Sequence, residues 1–211
     1  MFDAVRAAEG AVMDRRAYHA DAAALRADPA MTGDVWKLER SQVFSESGDP
    51  AWEAFCSGDW DRVLEIFESE REDIRAERQS YERLGLRLRR LRIVALPPTA
   101  YLVWEAHSHR IFVECGFEIR VLDAGLIRHF ESGYPLPELM VYGGQVLYHI
   151  RYDENGVPAG AKRVDDPALA RAAARSVSEL YEQAEPFVGF FEREIASKAP
   201  ARGSVGGFPA V

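Results

Sequence analysis

Residues 91–123, with the sequence LRIVALPPTAYLVWEAHSHRIFVECGFEIRVLD, decide the fold. The first apolar residues have the pattern of a short strand, which the proline pair beginning at Pro97 ends, and Thr99 is a residue type that caps helices. Gly116 occupies the position of a helix C-cap glycine, and residues 117–122 resume the alternation of a strand. This order predicts a βαβ unit, in which a right-handed crossover helix joins two parallel strands.

The residues after this unit predict a three-stranded antiparallel meander. Residues 138–142 and 145–152 flank two glycines that begin at Gly143, and such a pair is the usual connection of a primed-turn hairpin. A turn at residues 153–156 then leads into a third predicted strand near residues 159–164.

Helical segments are predicted on both sides of these strands. Asp59 caps a predicted long helix that continues to Leu84, and Asp166, which a proline follows, begins another helix. A last apolar helix is predicted at residues 187–195. The predicted fold is therefore an α/β fold: a small mixed sheet with a βαβ unit, followed by a three-stranded antiparallel meander and C-terminal helices, with a long helix in the N-terminal half.

The sequence predicts a single α/β domain at residues 34–197 with a segment on each side. Residues 1–33 are rich in alanine but have few large apolar side chains, so they predict a helical N-terminal extension that docks on the domain or on another chain. Residues 198–211, with several glycines and prolines, predict a flexible tail. The residues expected to make the N-terminal contact are Phe2, Val5, Val12, Met13 and Leu25.

Composition narrows the classes of function. The formal net charge of −8 over 211 residues disfavours direct binding to nucleic acid or to an anionic membrane surface. With only Cys56 and Cys115, a disulfide framework or a cysteine-based zinc site is not expected. No run of eighteen apolar residues is present, and acidic residues interrupt the first 33 where a signal peptide needs an apolar core. These features predict a cytoplasmic protein.

Six phrases stand out between residues 35 and 196. They are WKLER (36–40), AFCSGDW (54–60), YLVWEAHSHR (101–110), PLPELMVYG (135–143), VLYHIRYDENG (146–156) and FFEREIA (190–196). Together they resemble an uncharacterised family of actinobacterial proteins with a domain of unknown function, often encoded beside small helix-turn-helix regulators. The resemblance implies such a regulator as a protein partner, and it implies no catalytic residues. The order of elements is also similar to a phospholipase-D-type half domain that has become a non-catalytic sensor.

The phospholipase-D similarity directs attention to His149. Such a site needs a histidine nucleophile on a strand and a lysine two residues later to hold phosphate. Arg151 keeps that positive charge, but Gly156 stands where an acid is needed. His149 and Arg151 are therefore candidate ligand-binding residues, and the alternative is an ordinary half-exposed strand histidine. The predicted core-facing set of this strand is Val146, Tyr148 and Ile150.

Polar side chains crowd the predicted crossover helix. Glu105 and His109 are four residues apart and share a face, whereas His107 and His109 point about 200° apart, which disfavours a zinc site through both histidines. Arg110 and Glu114 also have the spacing of an ion pair. These residues either form intrahelical ion pairs on a partly covered helix, or line a pocket at the sheet edge with Glu105 and Arg110. The face predicted to pack on the sheet holds Tyr101, Trp104, Ser108 and Ile111. The candidate ligand-binding residues of the helix are Tyr101, Trp104, Glu105, His107 and Arg110.

Four arginines lie in the segment LRLRRLRI at residues 86–93. Leu86 and Leu88 alternate with Arg87 and Arg89, which predicts one apolar and one positively charged strand face. The charge can meet nucleic-acid phosphate or the acidic side chains of the long helix, and internal pairing is favoured because the acids are close at hand. The prolines that follow lack N–H donors and no glycine-rich loop is present, so no nucleotide cofactor is expected.

These features predict a non-catalytic binding or regulatory module that acts through a protein partner or a small ligand. The alternative is an enzyme with a site around Glu105, His107 and Arg110. No catalytic residue or cofactor is predicted. A metal site is not predicted either, because Asp153 and Asp166 already suit a turn and a helix cap. A homo-oligomer is compatible with the sequence, whereas direct nucleic-acid and membrane partners are not expected.

Overall fold

A computed structural model of the chain shows how these segments assemble. The structure describes residues 1–46, 48–131 and 133–198. They form one open mixed sheet of eight strands with helices packed on both of its faces. The predicted α/β fold class is confirmed.

The strands and helices follow one another along the chain with short connections. They are α1 (Phe2–Ala7), β1 (Ala11–Met13), α2 (Arg15–Ala27), β2 (Gly33–Glu39), α3 (Pro50–Cys56), α4 (Trp60–Ser69), α5 (Arg71–Arg83), β3 (Leu86–Val94), α6 (Ala100–Glu114), β4 (Glu118–Asp123), a 3₁₀ helix (Ala124–Phe130), β5 (Leu139–Tyr142), β6 (Val146–Tyr152), β7 (Pro158–Val164), α7 (Pro167–Gln183), β8 (Glu185–Pro186) and α8 (Phe187–Glu194). The order across the sheet is β1-β7-β6-β5-β2-β3-β4-β8. β3 is parallel to both β2 and β4, and the other neighbouring pairs are antiparallel.

The predicted βαβ unit consists of β3, α6 and β4. The side-chain oxygen of Thr99 accepts a hydrogen bond from the N–H of Leu102 at 3.1 Å and so caps α6. Gly116 follows the helix with a φ of 95°, which glycine adopts without the strain that a side chain would add. The predicted meander is present as β5, β6 and β7, and Gly143 and Gly144 both have positive φ in its first turn.

The continuous helix predicted from Asp59 to Leu84 is instead two helices, α4 and α5. Glu70 separates them and has a ψ of −9°, far from the regular helical value. The hydroxyl of Ser69 donates a hydrogen bond to the carbonyl oxygen of Ile66 at 2.7 Å. A hydroxyl that engages a helix carbonyl competes with the main-chain hydrogen bonds, which favours a break at this position.

The sequence predicted a helical extension at residues 1–33, but the structure shows a strand there as well as helices. Ala11–Met13 form the edge strand β1, which pairs antiparallel with β7. Helix α1 packs on the sheet, and the ammonium of Lys162 donates hydrogen bonds to three main-chain carbonyl oxygens at its C-terminal end. The N-terminal segment is thus built into the sheet. Of the predicted contact residues, Phe2 and Val5 are buried, Leu25 and Met13 are partly buried, and Val12 is exposed.

Apolar cores lie on both faces of the sheet. Val146 and Tyr148 of β6 belong to one core, and Ile150 packs against it, as predicted. The opposite face of the strand is not simply solvated, because Leu147 lies in a second core beneath α1 and α7. Along that face the residues become more exposed in the order Leu147, His149 and Arg151.

The carboxyl ends of the parallel strands β2, β3 and β4 lie at one edge of the sheet, here named the carboxyl edge. Gln42 joins two of these ends: its amide nitrogen donates to the carbonyl of Ile93 at 3.0 Å, and its amide oxygen accepts from the N–H of Ala95 at 2.7 Å. Because β5 is antiparallel to β2 and β6 to β5, the start of β5 and the end of β6 lie there too. Ligands of open α/β sheets bind outside the carboxyl ends of the strands, so a binding site is expected at this edge.

Within the described part of the chain, no helix is long and apolar enough to cross a membrane. The predicted flexible tail at residues 198–211 lies outside the described residues, apart from Lys198.

Candidate functional site

Glu105, on the inner face of α6, forms a buried ion pair with β3. Its Oε2 lies 2.7 Å from the Nε of Arg92, and the Arg92 and Glu105 side chains are 2% and 9% exposed. Its Oε1 accepts a hydrogen bond from the hydroxyl of Tyr101 at 3.3 Å, and that hydroxyl also lies 2.9 Å from a carboxylate oxygen of Glu46. Burial raises the pKa of Glu105, and the guanidinium of Arg92 opposes the rise. The fold therefore uses Glu105 as an internal partner of Arg92.

Two further buried carboxylates, Glu39 and Glu138, lie near Arg92 at the carboxyl edge. Arg92 donates a hydrogen bond to the main-chain carbonyl of Glu39 at 3.4 Å. Burial raises the pKa of Glu39, but the cations around it, Arg90 and Lys37 foremost, outweigh burial and lower it. Glu39 is thus a permanent negative charge that balances the arginines of β3.

The pKa of Glu138 is raised, whereas that of Glu39 is lowered. Its Oε1 accepts hydrogen bonds from the N–H groups of Arg40 and Ser41 at 2.8 and 2.6 Å, whereas its buried Oε2 has no hydrogen-bond partner among the described residues. Burial raises the pKa of Glu138 to about 7, with Arg92 opposing the rise and Glu39 adding to it. The folded state therefore binds this proton more tightly than the unfolded chain. The stability that protonated Glu138 contributes is complete below the ordinary pKa of 4.5, and it is lost as the pH rises to about 7.

His109 shares the inner face of α6 with Glu105, as the spacing predicted, but the two do not pair with each other. The Nε2 of His109 contacts the guanidinium of Arg90, while Glu105 pairs with Arg92. Burial lowers the pKa of His109 well below its ordinary range, and Arg90 adds to the effect, so the ring is neutral. Both residues therefore bind the sheet rather than one another.

The arginines of β3 pair with acids of the same chain, as predicted, but not with α4 and α5. The acids lie on β2, β4 and α6. The prediction of a single charged strand face is wrong, because Arg90 and Arg92 lie on the same face as Leu86 and Leu88. The ion pairs are Arg87–Glu118, Arg89–Asp34 (3.2 Å), Arg90–Glu39 (3.6 Å) and Arg92–Glu105 (2.7 Å).

His107 and Arg110 do not face the sheet as Glu105 does. The His107 ring packs edge-on against Phe191 with 5.1 Å between ring centres, and burial lowers its pKa to about 4, with Arg110 adding to the effect. Arg110 lies over the same phenylalanine and pairs with Glu114 at 3.8 Å, the intrahelical pair that the spacing predicted. The structure therefore does not bring Glu105, His107 and Arg110 together in one pocket.

Tyr101 and Trp104, the aromatic candidates of α6, belong to the core. Trp104 packs against the rings of Trp52 and Phe67 at 5.1 and 5.6 Å, in the core that α3 and α4 share with one face of the sheet. Tyr101 packs against Phe44 at 5.7 Å, in the connection after β2. Both candidates are at most 5% exposed, which leaves them little surface for a ligand.

His149 and Arg151 line an open cleft at the carboxyl edge. The cleft has a volume of about 380 Å³ and lies between the α1 residue Arg6 and the ends of β5 and β6. Burial lowers the pKa of His149 to about 4, and the positive charges of Lys162, Arg6 and Arg151 add to the effect. These two candidates therefore share one accessible cleft. Other residues that line the cleft are Tyr134, Glu138 and Tyr152.

The carboxyl edge also carries exposed apolar side chains, which sequence reasoning missed. They lie in the segments that follow β2, β3 and β4, and in the approach to β5. Alternation within helices and strands cannot identify them, although large apolar residues in connections after parallel strands were a usable signal. The set, here named the carboxyl-edge surface, is Val43 (39% exposed), Leu96 (46%), Leu126 (60%), Phe130 (40%) and Tyr134 (70%).

Within residues 1–46, 48–131 and 133–198, no group of three or more His, Cys, Asp or Glu side chains is placed to hold a metal ion. Cys56 and Cys115 are both free thiols, and burial raises the pKa of the Cys56 thiol.

The fold and the site define an open mixed α/β domain with a cleft at its carboxyl edge and paired charges beneath it. Residues 22–192 match the family described as a domain of unknown function (DUF6879), and the chain belongs to that family. The match runs from α2 into α8, so it contains the cleft except for Arg6. No curated protein matches the chain.

Proposed function

We propose that the protein is a non-catalytic regulatory module that binds a protein partner through the carboxyl-edge surface. The concentration of exposed apolar side chains carries this proposal: five of the nine large apolar residues that are exposed in the described chain belong to this one surface. Clustered exposed apolar and aromatic side chains are typical of sites where proteins bind other proteins.

Charge around the surface indicates the chemistry of the partner. Arg128 and Arg151 are exposed there. Two of the nearby acids are engaged within the chain, since Asp123 accepts a main-chain N–H two residues later and Glu131 pairs with Arg40 at 2.6 Å. An acidic partner surface with apolar side chains at its centre would complement this edge.

The placement of the candidate polar residues supports binding over turnover. General acid–base catalysis needs groups that converge on one reacting atom. Glu105 is paired with Arg92 and points to the sheet, whereas His107 and Arg110 pack on Phe191. The alternative enzyme site around Glu105, His107 and Arg110 lacks that convergence.

The resemblance described above supplies the finer parts of the proposal. The partner is a helix-turn-helix regulator, and nucleic acid is contacted by that regulator rather than by this chain. By the same resemblance the protein is actinobacterial. Its composition and charge further suggest that it acts in the cytoplasm, without a cofactor or a membrane partner. Its sheet is related to those of non-catalytic phospholipase-D-like sensors.

Substitution at the surface tests the proposal. Leu126→Ser with Tyr134→Ser removes two of the most exposed apolar side chains, and Val188→Ser, at a residue that is 50% exposed on α8, is the matched control. Tagged wild-type and variant proteins are isolated from native host cells, and the associated proteins are compared. We expect one regulator to accompany the wild type and the control but not the double variant.

Thermal melts establish that all three proteins are folded to the same degree. Recovery of the same associated proteins with the double variant would contradict the proposal. Light scattering of the purified proteins identifies a second copy of this chain as the occupant instead, if the wild type is a dimer and the double variant a monomer.

A further inference from the structure

Positive charge surrounds the buried side of the cleft at the carboxyl edge. His149 on β6 has Lys162 of β7 as its cross-strand neighbour in the sheet register. The charges that act on His149 come from Lys162, Arg6 of α1 and Arg151 of its own strand, and all three are positive. The acid that lines the cleft, Glu138, directs its Oε1 at main-chain N–H groups after β2. The cleft therefore has an excess of positive charge in a chain whose formal net charge is −8.

The three cations differ in how they are used. The Lys162 ammonium is occupied by three carbonyl oxygens at the end of α1. Arg6 pairs with Asp3 and donates to the main-chain carbonyl oxygen of Pro135, which fixes it at the wall of the cleft. Arg151 is exposed and has no hydrogen bond or ion pair among the described residues. Two cations thus set the local charge, and the third is free to contact a ligand.

We propose that this cleft is an oxyanion site in which Arg151 and His149 hold a carboxylate or phosphoryl group. The guanidinium of Arg151 donates to the anion, as charge-assisted hydrogen bonds to such groups require. The exposed ring of Tyr134, over which the guanidinium of Arg6 lies at 5.9 Å, offers an apolar contact to the remainder of the ligand. The inference goes beyond the proposed function, because the cleft can take a free anion without any protein partner.

Anion binding changes the protonation of His149. Without an anion, burial and three like charges keep the ring neutral. A bound anion offsets those charges and favours the imidazolium, so the pKa of His149 moves upward from about 4 towards its ordinary value of 6.5. By linkage, the affinity for an anion whose own charge stays constant over this range increases as the pH falls towards 5.

The test follows the imidazole resonances of His149 by NMR during titration at constant ionic strength. One arm adds inorganic phosphate, and the other adds a short glutamate-rich peptide. Loss of the signal in His149→Gln protein assigns the resonance, and His107 on α6 is the internal reference. Saturable shifts of His149 with phosphate indicate a free anion, whereas shifts with the peptide alone indicate an acidic group of a protein partner. Either result supports the site.

Arg151→Gln and Arg83→Gln make the test specific. Both remove one positive charge from an exposed residue, but Arg83 lies at the end of α5, just before the amino end of β3. We expect Arg151→Gln to weaken anion binding about tenfold or more and Arg83→Gln to leave it unchanged. His149 resonances that respond to neither ligand, or that respond equally in the two variants, would overturn the inference. That result leaves the partner-binding proposal intact, because that proposal rests on exposed apolar side chains, and Leu126, the more distinct of its two test positions, is not among the residues that line the cleft.

Discussion

Replacing Glu105 with leucine should strongly destabilise the protein. The substitution leaves the Arg92 guanidinium, whose side chain is 2% exposed, without the carboxylate at 2.7 Å. Breaking a buried ion pair from one side costs about 3–5 kcal/mol, because the remaining charge is neither solvated nor paired. With a urea dependence of about 2 kcal/mol per molar, the midpoint of unfolding should fall by roughly 2 M.

A double substitution separates the ion pair from simple packing. In Arg92→Met with Glu105→Leu, no guanidinium is left unpaired, and Glu39 keeps Lys37 at 2.6 Å and Arg90 at 3.6 Å. The double variant should therefore unfold at higher urea than Glu105→Leu alone. Urea unfolding followed by circular dichroism gives the three midpoints. The reasoning is refuted if Glu105→Leu costs no more than a Glu82→Gln control, which breaks an exposed pair with Arg78.

Two further predictions concern the carboxyl edge and the N-terminal strand. Glu138→Gln should remove the decrease in stability between pH 4.5 and about 7. The variant should therefore be more stable than the wild type by up to about 3 kcal/mol at pH 8. Paired urea titrations would contradict this prediction if the difference in stability between the two proteins did not change with pH. Gly160→Ala places a Cβ 2.1 Å from the carbonyl oxygen of Met13 at a φ of +114°, and should cost at least about 1–3 kcal/mol and expose the β1 amides to hydrogen exchange. Gly189→Ala, where the nearest atom is 3.9 Å away, is its control and should not be destabilising.

The elements that local chemistry specifies were predictable from the sequence. Thr99 and Gly116 mark the two ends of α6, and the paired glycines from Gly143 mark the first meander turn, because each acts within a few residues. Strand β1 was not predictable in this way. Its three residues have no alternating burial, and the close approach of its backbone to β7 at Gly160 is a long-range contact that no local pattern indicates. The break at Glu70 likewise has no signal in the apolar pattern, and the local feature that favours it is the hydrogen bond from the Ser69 hydroxyl to the carbonyl of Ile66.

The candidate site was only partly predictable, because its contacts join separate elements. Spacing correctly placed Glu105 and His109 on one face of α6. Their partners are arginines of β3, and the pattern of residues within a helix does not indicate which strand residues lie opposite it. His149 and Arg151 were selected as a pair and do line one cleft, although the contribution of Arg6 comes from a segment more than a hundred residues away. Contacts between residues so far apart in the sequence can be predicted only when the order of the strands in the sheet is known.

Site-specific photo-crosslinking tests the central claim, that the carboxyl-edge surface binds a protein partner, most directly. A photoreactive phenylalanine analogue is placed at Leu126 in one protein and at Val188 in another, residues that are 60% and 50% exposed in different parts of the fold. Irradiation of native host cells should give a discrete heteromeric adduct from position 126 and none from position 188. Adducts of equal yield at the two positions, or no adduct at position 126, would contradict the claim.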